Sequence, residues 1–310
     1  MHEPAQQTPG EHSPPALVVG LSIHGLAVVR ALARSGVQVH ALCEAEDPPQ
    51  PTAYTRYAKV HIRAGLNTEA LTSHLLEIAK TIGAAGRIVL FPTSDRMTRC
   101  IANAWPQLAG HYLLSWADCR DLVLQLQRKD SLAAWCDRAG IDYPRSRVLS
   151  DPSGCAAIAS ELRFPVVIKP AQPLSSFKAI RATSPEEIEQ CCADYPRDLP
   201  FVVQEWIEGP EPSLYACTTF LDRGKPLFFF TSRKIAACPP GLGQGTVFET
   251  VDAPQIRELT ARFLAPLGLS GQAAVEFKRD AAGKFWFIEP NVARTEYCVD
   301  LAIQSGFNLP

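Results

Sequence analysis

Near the end of the chain two glutamates stand among apolar neighbours. Glu276 lies in Ala274-Val275-Glu276-Phe277-Lys278, and Glu289 in Lys284-Phe285-Trp286-Phe287-Ile288-Glu289-Pro290-Asn291, with Asp280-Ala281-Ala282-Gly283 between the two runs. Two β-rich apolar runs around an Asp-x-x-Gly turn read as a hairpin. With Asp280–Gly283 as a four-residue loop, Arg279 pairs with Lys284 and Glu276 with Phe287. Glu289, two residues beyond Phe287, then points to the face of Glu276, with diagonal Cβ atoms about 7–8 Å apart. Two carboxylates on one face can hold one Mg²⁺ or a pair, and Asn291 continues that face. The competing picture is a half-exposed sheet on which both glutamates face solvent. The loop length matters, because a three-residue loop would turn Glu289 to the opposite face.

Cationic groups occur on separate elements upstream. The run Phe164-Pro165-Val166-Val167-Ile168-Lys169-Pro170 reads as a buried strand closed by a lysine. Such a lysine is costly unless an anion meets it, or unless it snorkels to the surface. Lys129 sits in a helical stretch running from Asp118 to Gly140. Arg233 and Lys234 precede a glycine-rich loop, Pro239-Pro240-Gly241-Leu242-Gly243-Gln244-Gly245-Thr246, suited to covering a phosphate but equally readable as a linker. Ser94 and Asp95 follow the strand Arg87–Phe91, where a parallel sheet presents ligand contacts; the plainer role is a helix N-cap.

Several function classes are excluded by composition. With 46% apolar and 20% charged residues the chain is globular, and 310 residues suit two or three subdomains. A net charge of −2 gives no electrostatic basis for a nucleic-acid partner. No run reaches the roughly 18 apolar residues of a membrane helix, and no signal peptide is evident, which places the protein in the cytoplasm. The ten cysteines include no Cys-x-x-Cys pair. All seven histidines lie at or before His111, so chemistry in the larger, later part proceeds without a histidine base or ligand.

Residues 1–15 read as a disordered tail. A strand from Ala16, a turn through Gly20 and Gly25, a helix to Arg34 and a strand from Val37 to Leu42 form a β-α-β unit. Its glycine spacing is not the dinucleotide fingerprint, and a tight turn with close helix packing accounts for it. Asn67 caps a helix to Ile82. The later part is richer in strands: Phe201–Ile207, Ser213–Leu221 and Pro226–Thr231 precede a helix with Ile256, Leu259, Phe263 and Leu267 on one face. Basic groups, a β-rich hinge and paired acids together suit polyphosphate binding with Mg²⁺ bridging phosphate oxygens.

The motifs Val166-Val167-Ile168-Lys169-Pro170, Val203-Gln204-Glu205-Trp206-Ile207-Glu208-Gly209, Ala274–Lys278 and Ile288-Glu289-Pro290-Asn291 occur in the order and spacing of one family. Residues 120 to about 310 resemble an ATP-grasp domain, and residues 16 to about 115 resemble the α/β domain that precedes it. The resemblance implies an α/β and α+β protein: a Rossmann-like pre-ATP-grasp domain over 16–117 and an ATP-grasp fold over 118–310. It also implies roles. Lys129 and Lys169 contact ATP phosphates. In the hinge, the segment Gln204, Glu205, Trp206 and Ile207 meets adenine, and Glu211 bonds the ribose. Glu276, Glu289 and Asn291 hold Mg²⁺, with Mn²⁺ as a substitute. Arg294 faces the transferring phosphate, while Arg233, Lys234 and the 241–246 loop cover phosphate and acceptor.

Two departures from the family pattern stand out. Ala293 occupies the usual arginine position, with Arg294 one later, and the loop 171–178 carries no glycine, leaving Ser175, Ser176 and Lys178 to close over ATP. Relatives usually continue beyond Pro310, so a truncated fragment is one reading. The implied activity is ligation of a small-molecule carboxylate to an amine or thiol through an acyl phosphate, with a homodimer as the possible assembly. A carboxylase or carbamoyl-phosphate-type enzyme, and a nucleotide-binding scaffold without turnover, are the alternatives.

Overall fold

The computed structural model describes residues 13–82, 86–172, 176–209, 211–240 and 242–310. Most of the expected tail, residues 1–12, lies outside them, as do Ser175 and Gly241. The chain divides into two compact units, Met1–Ala117 with Arg294–Pro310, and Asp118–Ala293.

The first unit begins β1 (Ala16–Val19), α1 (Ile23–Arg34), β2 (Val39–Glu44), β3 (Lys59–Arg63), α2 (Ala70–Ile82), β4 (Ile88–Pro92), α3 (Asp95–Leu108) and β5 (Tyr112–Leu113). Its strands form a parallel sheet in the order β3-β2-β1-β4-β5. The β1 run Ala16-Leu17-Val18-Val19 is buried throughout, as a parallel strand covered on both faces requires. The turn into α1 depends on two glycines. Gly20 takes φ +96°, and a Cβ on Gly25 would stand 2.1 Å from the Gly20 carbonyl oxygen. Ser94 caps α3, its side chain accepting from the Met97 amide.

The second unit follows with α4 (Arg120–Leu126), α5 (Leu132–Ala139), β6 (Ser146–Leu149), α6 (Cys155–Glu161), β7 (Val166–Pro170), β8 (Ile180–Ala182), α7 (Pro185–Asp194) and β9 (Phe201–Glu205). After these come β10 (Leu214–Asp222), β11 (Lys225–Pro226), β12 (Phe230–Cys238), β13 (Gln244–Thr250), α8 (Pro254–Leu264), β14 (Gly271–Arg279) and β15 (Phe285–Val292). A four-stranded antiparallel sheet runs β6-β9-β7-β8, and a larger one runs β13-β12-β10-β14-β15 with β11 on β10. The alternation of the strands sorts their side chains. In the smaller sheet Val166, Ile168, Phe201 and Val203 pack with Ile158, Ile188, Cys191 and Cys192 of α6 and α7. Lys169 and Gln204 are therefore directed to the opposite face. In the larger sheet Phe277 and Phe287 face α8, with the Phe263 ring 4.6 Å from that of Phe287, which leaves Glu276 and Glu289 on the other side.

After Ala293 the chain returns to the first unit, where α9 (Val299–Gln304) packs on α1. The sequence reading carries the second domain through to Pro310. The return rests on contacts with α1 and on the Thr295 amide donating to the Pro92 carbonyl at 3.1 Å, neither of which leaves a local sequence signal.

The hairpin register differs from the expected one. Arg279 pairs with Phe285, not Lys284, and the Asp280 amide donates to the Lys284 carbonyl at 2.9 Å. The loop is thus the three residues Ala281-Ala282-Gly283, with Gly283 at φ +87°. Asp280 draws the turn in, accepting from the Lys284 amide at 2.9 Å and from Trp286 Nε1 at 2.8 Å. Such a loop alone would turn Glu289 away, but a one-residue bulge between Phe277↔Phe287 and Glu276↔Glu289 inserts Ile288 and restores the face. The glutamates are directly opposite, not diagonal.

The strand expected to stop at Thr231 begins at Phe230 and runs to Cys238, so Arg233 and Lys234 are mid-strand residues. The expected 241–246 loop is shorter than its composition suggests, since Gln244 to Thr246 already belong to β13.

Candidate functional site

The carboxylate face of the larger sheet carries a compact charge cluster. Glu276 and Glu289 are cross-strand partners. Asn291 Nδ2 donates to Glu276 Oε1 at 2.9 Å, and Lys129 Nζ stands 3.1 Å from Glu289 Oε2. The Lys129 amide donates to the Ala171 carbonyl at 2.9 Å. That bond fixes the lysine beside the end of β7, the strand that carries Lys169. Lys169 Nζ in turn donates to Gln204 Oε1 at 3.1 Å.

Each ionisation state has a physical cause. The Lys129 ammonium holds the Glu289 carboxyl down at about 2, against burial, with Lys169 and Lys178 adding to the effect. Burial pushes Lys169 down to about 8, opposed by Glu289 and Glu276. Burial also pushes the Tyr143 phenol up, while its hydrogen bond to Gln204 acts in the other direction.

These residues fit a divalent cation. Two carboxylates and an amide on one face make a hard oxygen donor set of the kind Mg²⁺ takes, and an ammonium already lies against Glu289 where positive charge is favoured. Among the described residues no cluster of three or more His, Cys, Asp or Glu could hold a metal. The set is therefore two acids with Asn291.

The hinge after β9 frames a cavity of about 340 Å³ lined by Tyr143, Arg163, Glu205, Trp206, Ile207 and Trp286, among others. Lys278 Nζ lies 4.1 Å from the centre of the Trp206 ring, and Arg181 Cζ lies 5.5 Å from it. The Glu205 carboxylate turns to Arg163, accepting from its amide at 3.0 Å and its Nη2 at 3.1 Å. The Glu205 and Trp206 amides donate to the carbonyls of Arg145 and Pro165.

Among the residues singled out from sequence, the fold brings together Lys129, Lys169, Gln204, Glu276, Glu289 and Asn291, with Lys178 acting through its charge. Arg233 and Lys234 are separated by strand alternation. The register places Lys234 on the face of Glu276, and Arg233 with Tyr215 on the α8 face. There Arg233 forms a cross-strand ion pair with Glu249, opposite it on β13. Ser176 gives its amide to Asp198 Oδ2 at 3.0 Å. Glu211 lies in a short 3₁₀ turn before β10. Arg294 belongs to the first unit, where its Nε donates to Asp95 Oδ1 at 2.6 Å. Sequence reasoning missed Tyr143, Lys278 and Trp286. Tyr143-Pro144 reads only as a helix stop, and a lysine or tryptophan in a hairpin is unremarkable until the hinge is brought against it.

No family model matches the chain. It is 31% identical over 163 residues to a D-alanine–D-alanine ligase of Pseudomonas fluorescens, a match spanning 50% of this chain and 49% of that protein. With the D-alanine–D-alanine ligase of Pseudomonas entomophila it shares 29% over 280 residues, covering 87% of this chain and 77% of that protein. The match to the first of these relatives thus spans about half that protein's length. Among solved structures, an L-amino acid ligase from Bacillus licheniformis superposes with a TM-score of 0.68 at 15% identity, covering 92% of this chain and 68% of that one. The biotin carboxylase–β,γ-ATP complex of Campylobacter jejuni gives 0.70 at 16%, covering 94% and 68%. The two antiparallel sheets and these likenesses show the fold: the chain has the architecture of the ATP-grasp enzymes among these solved structures. Its curated relatives are ligases, and its structural neighbours include nucleotide complexes, one of them holding MgADP. Among the described residues no helix is long and apolar enough to cross a membrane.

Proposed function

We propose that the protein is an ATP-dependent carboxylate–amine ligase acting on small molecules in the cytoplasm. The observation that carries this reading is the opposed Glu276–Glu289 pair with Lys129 and Lys169 beside it. On nucleotide binding, Lys129 and Lys169 exchange carboxylate and amide partners for phosphate oxygens. Glu276, Glu289 and Asn291 would hold Mg²⁺, which neutralises phosphate charge and orients the terminal phosphoryl group. Adenine would enter at the hinge, where Gln204 and the main chain from Glu205 to Ile207 offer hydrogen-bonding edges and Trp206 an aromatic surface.

A substrate carboxylate oxygen attacks the γ-phosphorus and ADP leaves. The amine then attacks the acyl carbon, and phosphate departs with that carboxylate oxygen. The chain's own groups position reactants and supply charge, and no protein nucleophile is required. The ligase character of the relatives supports the choice of an amine acceptor. ADP release measured over a panel of amino acids and short peptides tests the reading. Turnover should require Mg²⁺ and disappear in Glu289→Gln; full activity in that variant would contradict it.

A further inference from the structure

The cavity framed by the hinge has a charged wall that the phosphate and metal cluster does not use. On β9, Phe201 and Val203 face α6 and α7, so Glu205, two residues beyond Val203, is directed to that helix side. Gln204 faces the other way and holds Lys169. Arg145 continues β6 opposite Glu205, whose amide donates to the Arg145 carbonyl at 2.9 Å. Arg163 follows the end of α6. All three line the cavity of about 340 Å³, and they do so on the side of the sheet away from Lys169.

Charge in this wall is unbalanced, two guanidiniums to one carboxylate. Glu205 accepts from the Arg163 amide at 3.0 Å and from Arg163 Nη2 at 3.1 Å. Burial works against the Glu205 carboxylate, yet the Arg163 hydrogen bonds and the charges of both arginines hold it below its usual range. The Arg163 side chain is 89% exposed and keeps the rest of its five donors for another acceptor. Arg145 is exposed and makes no ion pair among the described residues. The remaining walls are apolar: the indoles of Trp206 and Trp286, with Tyr143 and Ile207. Trp286 Nε1 is already given to Asp280, and burial pushes the Tyr143 phenol up, so it stays neutral.

We infer that this cavity is a second small-molecule site, taking a planar aromatic carboxylate with its ring against the indoles and its carboxylate on Arg145 and Arg163. The volume lies at the low end of the range of about 300–1,000 Å³ for small-molecule pockets, which suits one or two fused rings. A carboxylate matches the guanidinium fork, and a flat ring gains from aromatic contact beyond the area it buries. An amine would meet the excess of like charge. The occupant touches Trp206 and Ile207, which the ligase reading also gives to the nucleotide base. It therefore acts as an effector, and linkage makes each ligand change the other's affinity by the same factor. The effector role rests on the ligase reading; the binding does not.

Calorimetric titration of the full chain with β-naphthoate, with and without saturating MgADP, tests the inference. The neutral β-naphthamide and octanoate, a carboxylate without a ring, are the controls. Naphthoate should bind, and naphthamide at least about tenfold more weakly, the value of one charge-assisted hydrogen bond. Octanoate should bind at least about threefold more weakly, for want of ring contacts. Arg145→Gln should lose at least about tenfold in naphthoate affinity while keeping the thermal melt of the parent and its affinity for MgADP. Naphthoate should still bind the MgADP-saturated protein, its affinity shifted by the factor that saturating naphthoate imposes on MgADP. The inference is overturned if naphthoate does not bind, if naphthamide binds as well, or if Arg145→Gln keeps full affinity. Complete exclusion of naphthoate by MgADP would also overturn it, because the cavity would then be the nucleotide's own. Binding that MgADP leaves unchanged would uphold the site and remove the effector role. Naphthoate binding by a protein that fails to bind MgADP would uphold the site and sink the ligase reading.

Discussion

At Lys169 a strand with apolar neighbours ends in an ammonium that burial brings down to about 8. Below that pH the lysine is charged and ready for phosphate; above it the charge fades. Nucleotide affinity measured from pH 7 to 10 should therefore fall as pH rises through about 8, and Lys169→Arg, which stays charged, should flatten the profile. The linkage to stability has the same origin. The unfolded chain titrates this lysine near 10.5, so between about 8 and 10.5 it holds a proton the folded chain has lost, and Lys169's contribution to stability rises with pH. Glu289 behaves in the same sense in a lower window, because its folded pKa is also below the unfolded one. Its pKa is depressed from 4.5 to about 2, so its contribution is complete above the unfolded value and lost as pH falls through the folded one. Replacing either hairpin acid by its amide should lower Mg²⁺-dependent nucleotide affinity by at least about 100-fold, more than the usual loss of a supporting group. Much of this was legible in the residue types. A glutamate flanked by Val275 and Phe277, or a lysine after Ile168, needs a charged or hydrogen-bonding partner. The partners themselves, Lys129 for Glu289 and Gln204 for Lys169, were not legible, because each pair joins distant elements.

At the scale of elements the hairpin is the informative case. Alternating apolar residues announced two strands, and both glutamates do share a face, but by a different route. The three-residue turn follows from Gly283 at positive φ and the Asp280 hydrogen bonds, and the bulge at Ile288 offsets the shift it causes. A bulge has no composition of its own, which is why pattern alone counted four loop residues. Deleting Ile288 should restore unbroken pairing with Glu289 still opposite Glu276, and Mg²⁺-dependent nucleotide binding should persist. The far-ultraviolet circular dichroism should remain that of the parent. Lost binding in the folded variant would show that opposition of the two glutamates is not what the site requires. The same alternation separates Arg233 from Lys234, so Lys234→Ala should weaken nucleotide or acceptor binding, read as a rise in KM. Arg233→Ala should act on stability through the Glu249 pair, by at most about 1 kcal/mol for so exposed a contact.

Over the whole molecule, alternating strands and helices made the parallel sheet readable, and strand-rich sequence made the second unit readable as a different architecture. The return of the chain after Ala293 was hidden, since α9 is short and its partner α1 stands at the other end of the sequence. Truncation after Ala293 removes the buried Val299 and Leu309, and should cost the first unit about 3–5 kcal/mol, seen as an earlier melting transition. The proposed reaction makes its own demand on the intact protein: the phosphate released must carry an oxygen from the substrate carboxylate. Turnover with amino acids ¹⁸O-labelled in the carboxylate, followed by mass analysis of the inorganic phosphate, tests this directly. One labelled oxygen per phosphate, with none formed by Glu289→Gln, is the predicted result; ADP release with unlabelled phosphate would contradict the acyl-phosphate ligase.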